Sequence, residues 1–93
     1  MDVGRVVISR KGKDAGNWYI VSGISEDARR VYLVDGRKWS WDRPKKKNPV
    51  HIQPTRVVIK EVAEMAETGK RMSDESIRSI LEETRKGSGG SER

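Results

Sequence analysis

His51 is the only imidazole in the chain, and there is no cysteine. Nucleophilic or acid–base catalysis would therefore have to rest on His51 with a partnering hydroxyl or carboxylate. Its neighbours at alternate positions are Pro49 and Gln53, no serine sits in an elbow motif, and no spacing pairs two carboxylates. Thiolate zinc sites and disulfides are excluded outright, and the remaining residues do not supply a metal-ligand set. The segment 12-GKDAG-16 has two glycines and a lysine but lacks the spacing of a phosphate-binding P-loop. The sequence predicts no enzyme, no cofactor and no small-molecule substrate, and leaves His51 a structural or surface-polar residue.

The basic residues carry a different chemistry. The chain has 93 residues and a formal net charge of +6. Residues 1–60 hold 14 Lys and Arg against 6 Asp and Glu, whereas residues 61–93 hold 6 against 8. A basic body joined to a mildly acidic extension fits a polyanion-binding unit with an accessory. The cations cluster: Arg10, Lys11 and Lys13 beside glycines, Arg37 and Lys38 after Asp35-Gly36, and Arg43, Lys45, Lys46 and Lys47 within 43-RPKKKNP-49. Pro44 and Pro49 would stiffen that run as a loop, so that less freedom is lost when it docks on phosphates. Clustering of this kind is not needed for solubility alone. Trp39, beside Arg37 and Lys38, is the best candidate for stacking on a base, with packing in a core that has no Phe as the other use of the three tryptophans.

Short strands must position these groups. Val6-Val7-Ile8, Trp18–Val21, Val31–Val34, Arg37–Trp41 and Val50–Ile52 read as β-prone segments at roughly ten-residue spacing. Asp35-Gly36 reads as a two-residue hairpin turn, which would put Trp39 and Trp41 on one side of the returning strand. Five short strands, the last of them closed by Pro54, argue for a small, strongly bent antiparallel barrel over residues 1–55. Three basic loops would then converge on its rim. Residues 56–86 change to helical spacing. Val58, Val62, Met65 and Ala66 recur with Thr55 as a possible cap and Gly69 as a stop, although Val57-Val58-Ile59 reads equally well as more strand. Ser73 can cap a second helix, with Asp74 and Glu75 in its first turn, Ile77, Ile80, Leu81 and Thr84 on one face, and Arg85 and Lys86 at its end. That face would pack on the barrel or dock on a partner. The glycine-rich segment 87–93 reads as a disordered tail. No run of eighteen apolar residues occurs and the start has no long apolar stretch, so no membrane association and a cytoplasmic location are expected.

The segment 4-GRVVISRKGKDAGNWYIVSGI-24 resembles the KOW motif, in which two strands flank a basic loop with a near-obligatory glycine, at Gly16 in this chain. Further along, 3-VGRV-6, Ala15-Gly16, 33-LVDG-36, the basic run and 51-HIQPT-55 follow the order seen in the L-fourteen-e family of large-subunit ribosomal proteins. Bacterial KOW-domain RNA-binding proteins share that order. The segment 73-SDESIRSILEE-83 is similar to the C-terminal helix of archaeal members. The resemblance spans about residues 3–85. It implies an SH3-like barrel, a ribosomal RNA partner in the large subunit and no catalytic activity, and by position it puts RNA contact on Arg10, Lys11, Lys13, Arg43, Lys45, Lys46 and Lys47. A protein-interaction module of SH3-like type, or a transcription-elongation KOW factor, is the alternative expectation.

Overall fold

The computed structural model describes residues 1–91. The chain is mainly β, with strands β1 (Arg5–Ser9), β2 (Trp18–Ile24), β3 (Val31–Val34), β4 (Lys45–Lys47) and β5 (Ile52–Val58), followed by helices α1 (Lys60–Thr68) and α2 (Asp74–Ser91). Every strand pair is antiparallel, and one sheet runs in the order β4-β3-β2-β1-β5.

The first three strands read as nearly unbroken apolar runs because both faces of the sheet are covered. Val6, Ile20 and Val34 stand opposite one another in register. Their shared face meets Val62 of α1, Met72, and Ile77 and Leu81 of α2 in one buried cluster. The alternate residues Val7, Tyr19, Val21, Val31 and Leu33 form a second cluster, closed by Ile52. A strand period of two thus feeds two small cores, one under the helices and one on the opposite face of the sheet.

Helix α2 packs on its own sheet, and Ile77 is fully buried there. Its start follows the expected capping chemistry: the Ser73 hydroxyl accepts from the Ser76 N–H at 3.2 Å, and the Ser73 carbonyl accepts from the Ile77 N–H at 3.0 Å. Gly69 ends α1 as expected, its N–H donating to the Met65 carbonyl.

Several expectations are corrected. Arg37–Trp41 is not a strand, and Asp35-Gly36 is not a two-residue hairpin turn. The Asp35 carboxylate accepts the N–H groups of Arg37 and Trp39, each at 2.9 Å. The N–H groups of Asp35 and Gly36 in turn donate to the Trp39 carbonyl at 3.0 and 3.1 Å. This side-chain competition curls the segment into a loop. Trp39 and Trp41 therefore do not share a face: Trp39 packs on the Val7 cluster and Trp41 on the Val6 cluster. The fourth strand is instead the lysine run, paired Val31 with Lys47 and Leu33 with Lys45. Residues Pro49–His51 form a single 3-10 turn rather than a strand, capped by the Asn48 side chain, which accepts from the Val50 N–H.

Strand β5 runs through Pro54 to Val58, because an edge strand can place a residue without an N–H on its unpaired side. The sheet thus passes residue 55, where the barrel was expected to end. Thr55 does not cap α1; its hydroxyl donates to the Val6 carbonyl at 2.7 Å within the sheet. α2 also continues through Gly87 to Ser91, past the expected start of the tail. Once a helix is nucleated, each added residue gains a backbone hydrogen bond. Residues 92–93 of the expected tail lie outside the described residues.

Candidate nucleic-acid interface

The lysine run takes its local geometry from strand alternation. Lys45 and Lys47 share one side of β4, and Lys46 faces the other way into solvent. Lys47 reaches back to the loop between β1 and β2. Its Nζ donates to Asp14 Oδ1 at 2.8 Å and to the Lys11 carbonyl at 2.8 Å, and its side chain is only 11% exposed. Asp14 also accepts from the Ser9 hydroxyl at 3.0 Å and from the Tyr19 hydroxyl at 2.9 Å. Burial alone would raise the Asp14 carboxyl, but the hydrogen bonds from Lys47, Tyr19 and Ser9 outweigh it and hold the group at about 2. Burial and the hydrogen bond to Asp14 push the Tyr19 hydroxyl up to about 12. Lys47 is therefore a structural tie between loop and strand rather than the free phosphate ligand expected of it.

Around that tie lies a hollow of about 520 Å³. Lys13 from the first loop, Lys38 and Trp39 from the 35–44 loop, and Lys45 from β4 all line it. The Lys45 Nζ lies 4.9 Å and the Lys38 Nζ 5.5 Å from the centre of the Trp39 ring. Each is within the range in which the negative ring face attracts a cation. Trp39 is half-buried, so the indole serves both expected uses: part of it packs on the Val7 cluster while the rest borders the hollow. Gly36 makes this loop possible. Its φ is 75°, and a Cβ there would collide with the Asp74 carbonyl oxygen and approach Arg78 Cγ to 2.8 Å. Its own carbonyl accepts from the Arg78 guanidinium at 2.6 Å, which ties α2 to the loop.

The expected convergence of basic loops is partial. Lys13, Lys38 and Lys45 come together, but Arg10 does not join them; its guanidinium donates to Gln53 Oε1 of β5. Lys11 contributes its carbonyl to the Lys47 tie, and its exposed side chain does not line the hollow. Arg43 and Lys46 are exposed and do not line the hollow. His51 is engaged through its backbone, its carbonyl accepting from the Arg10 N–H at 2.8 Å, and does not line the hollow. Gly16, expected at a special backbone position, has φ of 93° and donates its N–H to the Ser9 carbonyl at 2.8 Å.

Arg37 faces elsewhere. It lines an adjoining cleft of about 590 Å³ with Trp18 and with Arg78, Arg85 and Lys86 of α2. Arg85 and Lys86 are expected to serve the helix dipole, and Arg78 carries no expectation. The usable signal was the spacing of 78 and 85, two helical turns apart and hence on one face. Among the described residues, no group of three or more His, Asp or Glu is placed to hold a metal ion, and no helix is long and apolar enough to cross a membrane.

No protein-family model matches the chain, and no curated protein matches its sequence.

Proposed function

We propose that the chain is an RNA-binding protein of the translation machinery, a cytoplasmic ribosomal or ribosome-associated protein that contacts ribosomal RNA of the large subunit. The observation that carries the reading is the hollow in which Lys13, Lys38 and Lys45 gather around the half-buried indole of Trp39. Ammonium groups from three separate chain segments supply phosphate attraction, and the indole supplies a π-face for a base. The resemblance of 4-GRVVISRKGKDAGNWYIVSGI-24 to a KOW motif points the same way. An SH3-like barrel of KOW type is the finer reading of the sheet. Its support is that the edge strands β4 and β5 are separated only by Asn48 and the turn Pro49–His51, and that Ile52 shares a buried cluster with Leu33.

The test is the salt dependence of binding to large-subunit ribosomal RNA fragments. Each phosphate contact contributes roughly 0.7–0.9 to the slope of log affinity against log salt. Replacing Lys13, Lys38 and Lys45 together with Ala should flatten that slope by about 2–2.7. Replacing Arg29 and Arg30, exposed in the turn before β3, should leave it close to the wild-type value. Equal slopes for the triple variant and wild type would remove the hollow from the RNA interface.

A further inference from the structure

The cleft beside the hollow was not singled out by the sequence. It lies between the later turns of α2 and the β1–β2 loop. Arg37, Arg78, Arg85 and Lys86 line it against two carboxylates, Asp35 and Glu82. Trp18 is half-buried in its lining, packed on the Val6 cluster, and the Arg85 guanidinium stands 5.7 Å from the centre of its ring. Asn17 and Asp35 border both this cleft and the hollow, so the two adjoin. The arginines differ in their engagement. Arg78 is occupied by the Gly36 carbonyl, whereas Arg37, Arg85 and Lys86 form no ion pair with a carboxylate of the described residues.

We propose that this cleft holds one unpaired nucleotide of the bound RNA, with its base on Trp18 and its phosphate against Arg85 and Lys86. The proposal rests on the reading of the protein as RNA-binding. A concave site lined by an indole and by cations rewards a splayed-out base, which offers a π-face beside its phosphate. A duplex offers only a ridge of phosphates and a broad, shallow minor groove, neither of which reaches the indole. Arg85 now lies over the ring. An entering base takes the place of the guanidinium on the indole, and the guanidinium turns to the phosphate, keeping a planar, charged partner throughout. The continuity with the hollow gives the strand a path: phosphates cross at Asn17, with one aromatic ring on each side of the crossing.

The experiment compares Arg85→Ala/Lys86→Ala with Arg29→Ala/Arg30→Ala, which removes the same charge elsewhere. The probes are an adenylate octamer, AMP and a large-subunit ribosomal RNA fragment. Affinity is read by fluorescence anisotropy. The Trp18 indole N–H is read by NMR and assigned by its loss in Trp18→Phe. The cleft variant should bind the octamer roughly tenfold more weakly than the charge-matched control, as expected for lost charge-assisted contacts to one phosphate. In the wild type, the octamer should shift the Trp18 resonance more than AMP does at equal nucleotide concentration. Equal octamer affinities for the two variants, or an unmoved Trp18 resonance, would overturn the cleft assignment while leaving the wild type's RNA binding intact. An equal shift by AMP would make the occupant a free nucleotide and overturn the assignment to RNA. Failure of the wild type to bind either RNA would overturn the broader reading and this one with it.

Discussion

Replacing Lys47 with Met asks whether the end of the lysine run holds the fold or holds RNA. Met keeps an unbranched stem of similar length, so the change removes the ammonium and little packing. Lost with it are the hydrogen bonds to Asp14 Oδ1 and to the Lys11 carbonyl, both at 2.8 Å. A hydrogen bond to a charged group contributes roughly 1.5–3 kcal/mol. Asp14 keeps its Ser9 and Tyr19 donors and retains some contact with water. The combined loss should therefore sit near the low end, about 2–3 kcal/mol at pH 7. For a domain of this size that lowers Tm by about 10–20 °C. Lys46→Met, on the exposed side of the same strand, should change stability by less than about 0.5 kcal/mol.

Acid supplies an internal check on the same variant. Asp14 is held at about 2 in the folded protein against an ordinary 3.8. A depressed carboxyl contributes stability that is present above the unfolded value and lost as pH falls through the folded one. The contribution is therefore complete above about pH 4 and gone near pH 2. Lys47→Met removes the main donor that lowers Asp14, so the gap between variant and wild type should narrow across that window. Urea unfolding at pH 7, 4 and about 2.5 measures both quantities. A Lys47→Met midpoint equal to wild type at pH 7, or a gap that does not narrow in acid, would refute the structural tie.

Other perturbations test the remaining joints. Gly36→Ala should cost about 2–4 kcal/mol in urea unfolding, because its φ of 75° is strained for an L residue and its Cβ would displace the first turn of α2. Gly16→Val should cost roughly 1–3 kcal/mol from backbone strain alone, since the space around its Cβ is open at φ of 93°; an unchanged Tm would remove the strain argument. Ile77→Ala should cost about 2–4 kcal/mol, the range for a fully buried aliphatic side chain, and an unchanged urea midpoint would mean that α2 adds nothing to the core.

Strands β1 to β3 were readable because Val6-Val7-Ile8, Tyr19-Ile20-Val21 and Val31–Val34 bury both faces, and an unbroken β-branched run says so directly. Helix α2 was readable from Ser73 and the 77/81 spacing. The fourth strand was not. Lys45-Lys46-Lys47 has no apolar signal; its place comes from the free edge of β3 and from a carboxylate more than thirty residues earlier in the chain. The aromatic alternation of Trp39-Ser40-Trp41 imitated a strand, but one Asp35 carboxylate bonding two backbone N–H groups prevailed over it. Of the candidate site, Lys13, Lys38, Trp39 and Lys45 were found by charge clustering and aromatic context. Trp18, Arg78 and Arg85 were missed because their meeting depends on how α2 lies across the β1–β2 loop.

The two ties explain how a chain rich in cations can hold like charges side by side. Asp14 takes Lys47 out of the pool of free charge and joins the first loop to β4, so Lys13 and Lys45 face one hollow from different segments. The Arg78–Gly36 hydrogen bond does the same for α2 and the loop that carries Lys38 and Trp39. In each case one cation is committed to structure, and others stay exposed beside it. Fixing the loops before binding lowers the entropy lost when a polyanion arrives. It also keeps the free ammonium groups of Lys13, Lys38 and Lys45 on separate elements around one hollow. The lysine run between its two prolines is thus divided: Lys47 holds the frame, and Lys45 faces the hollow.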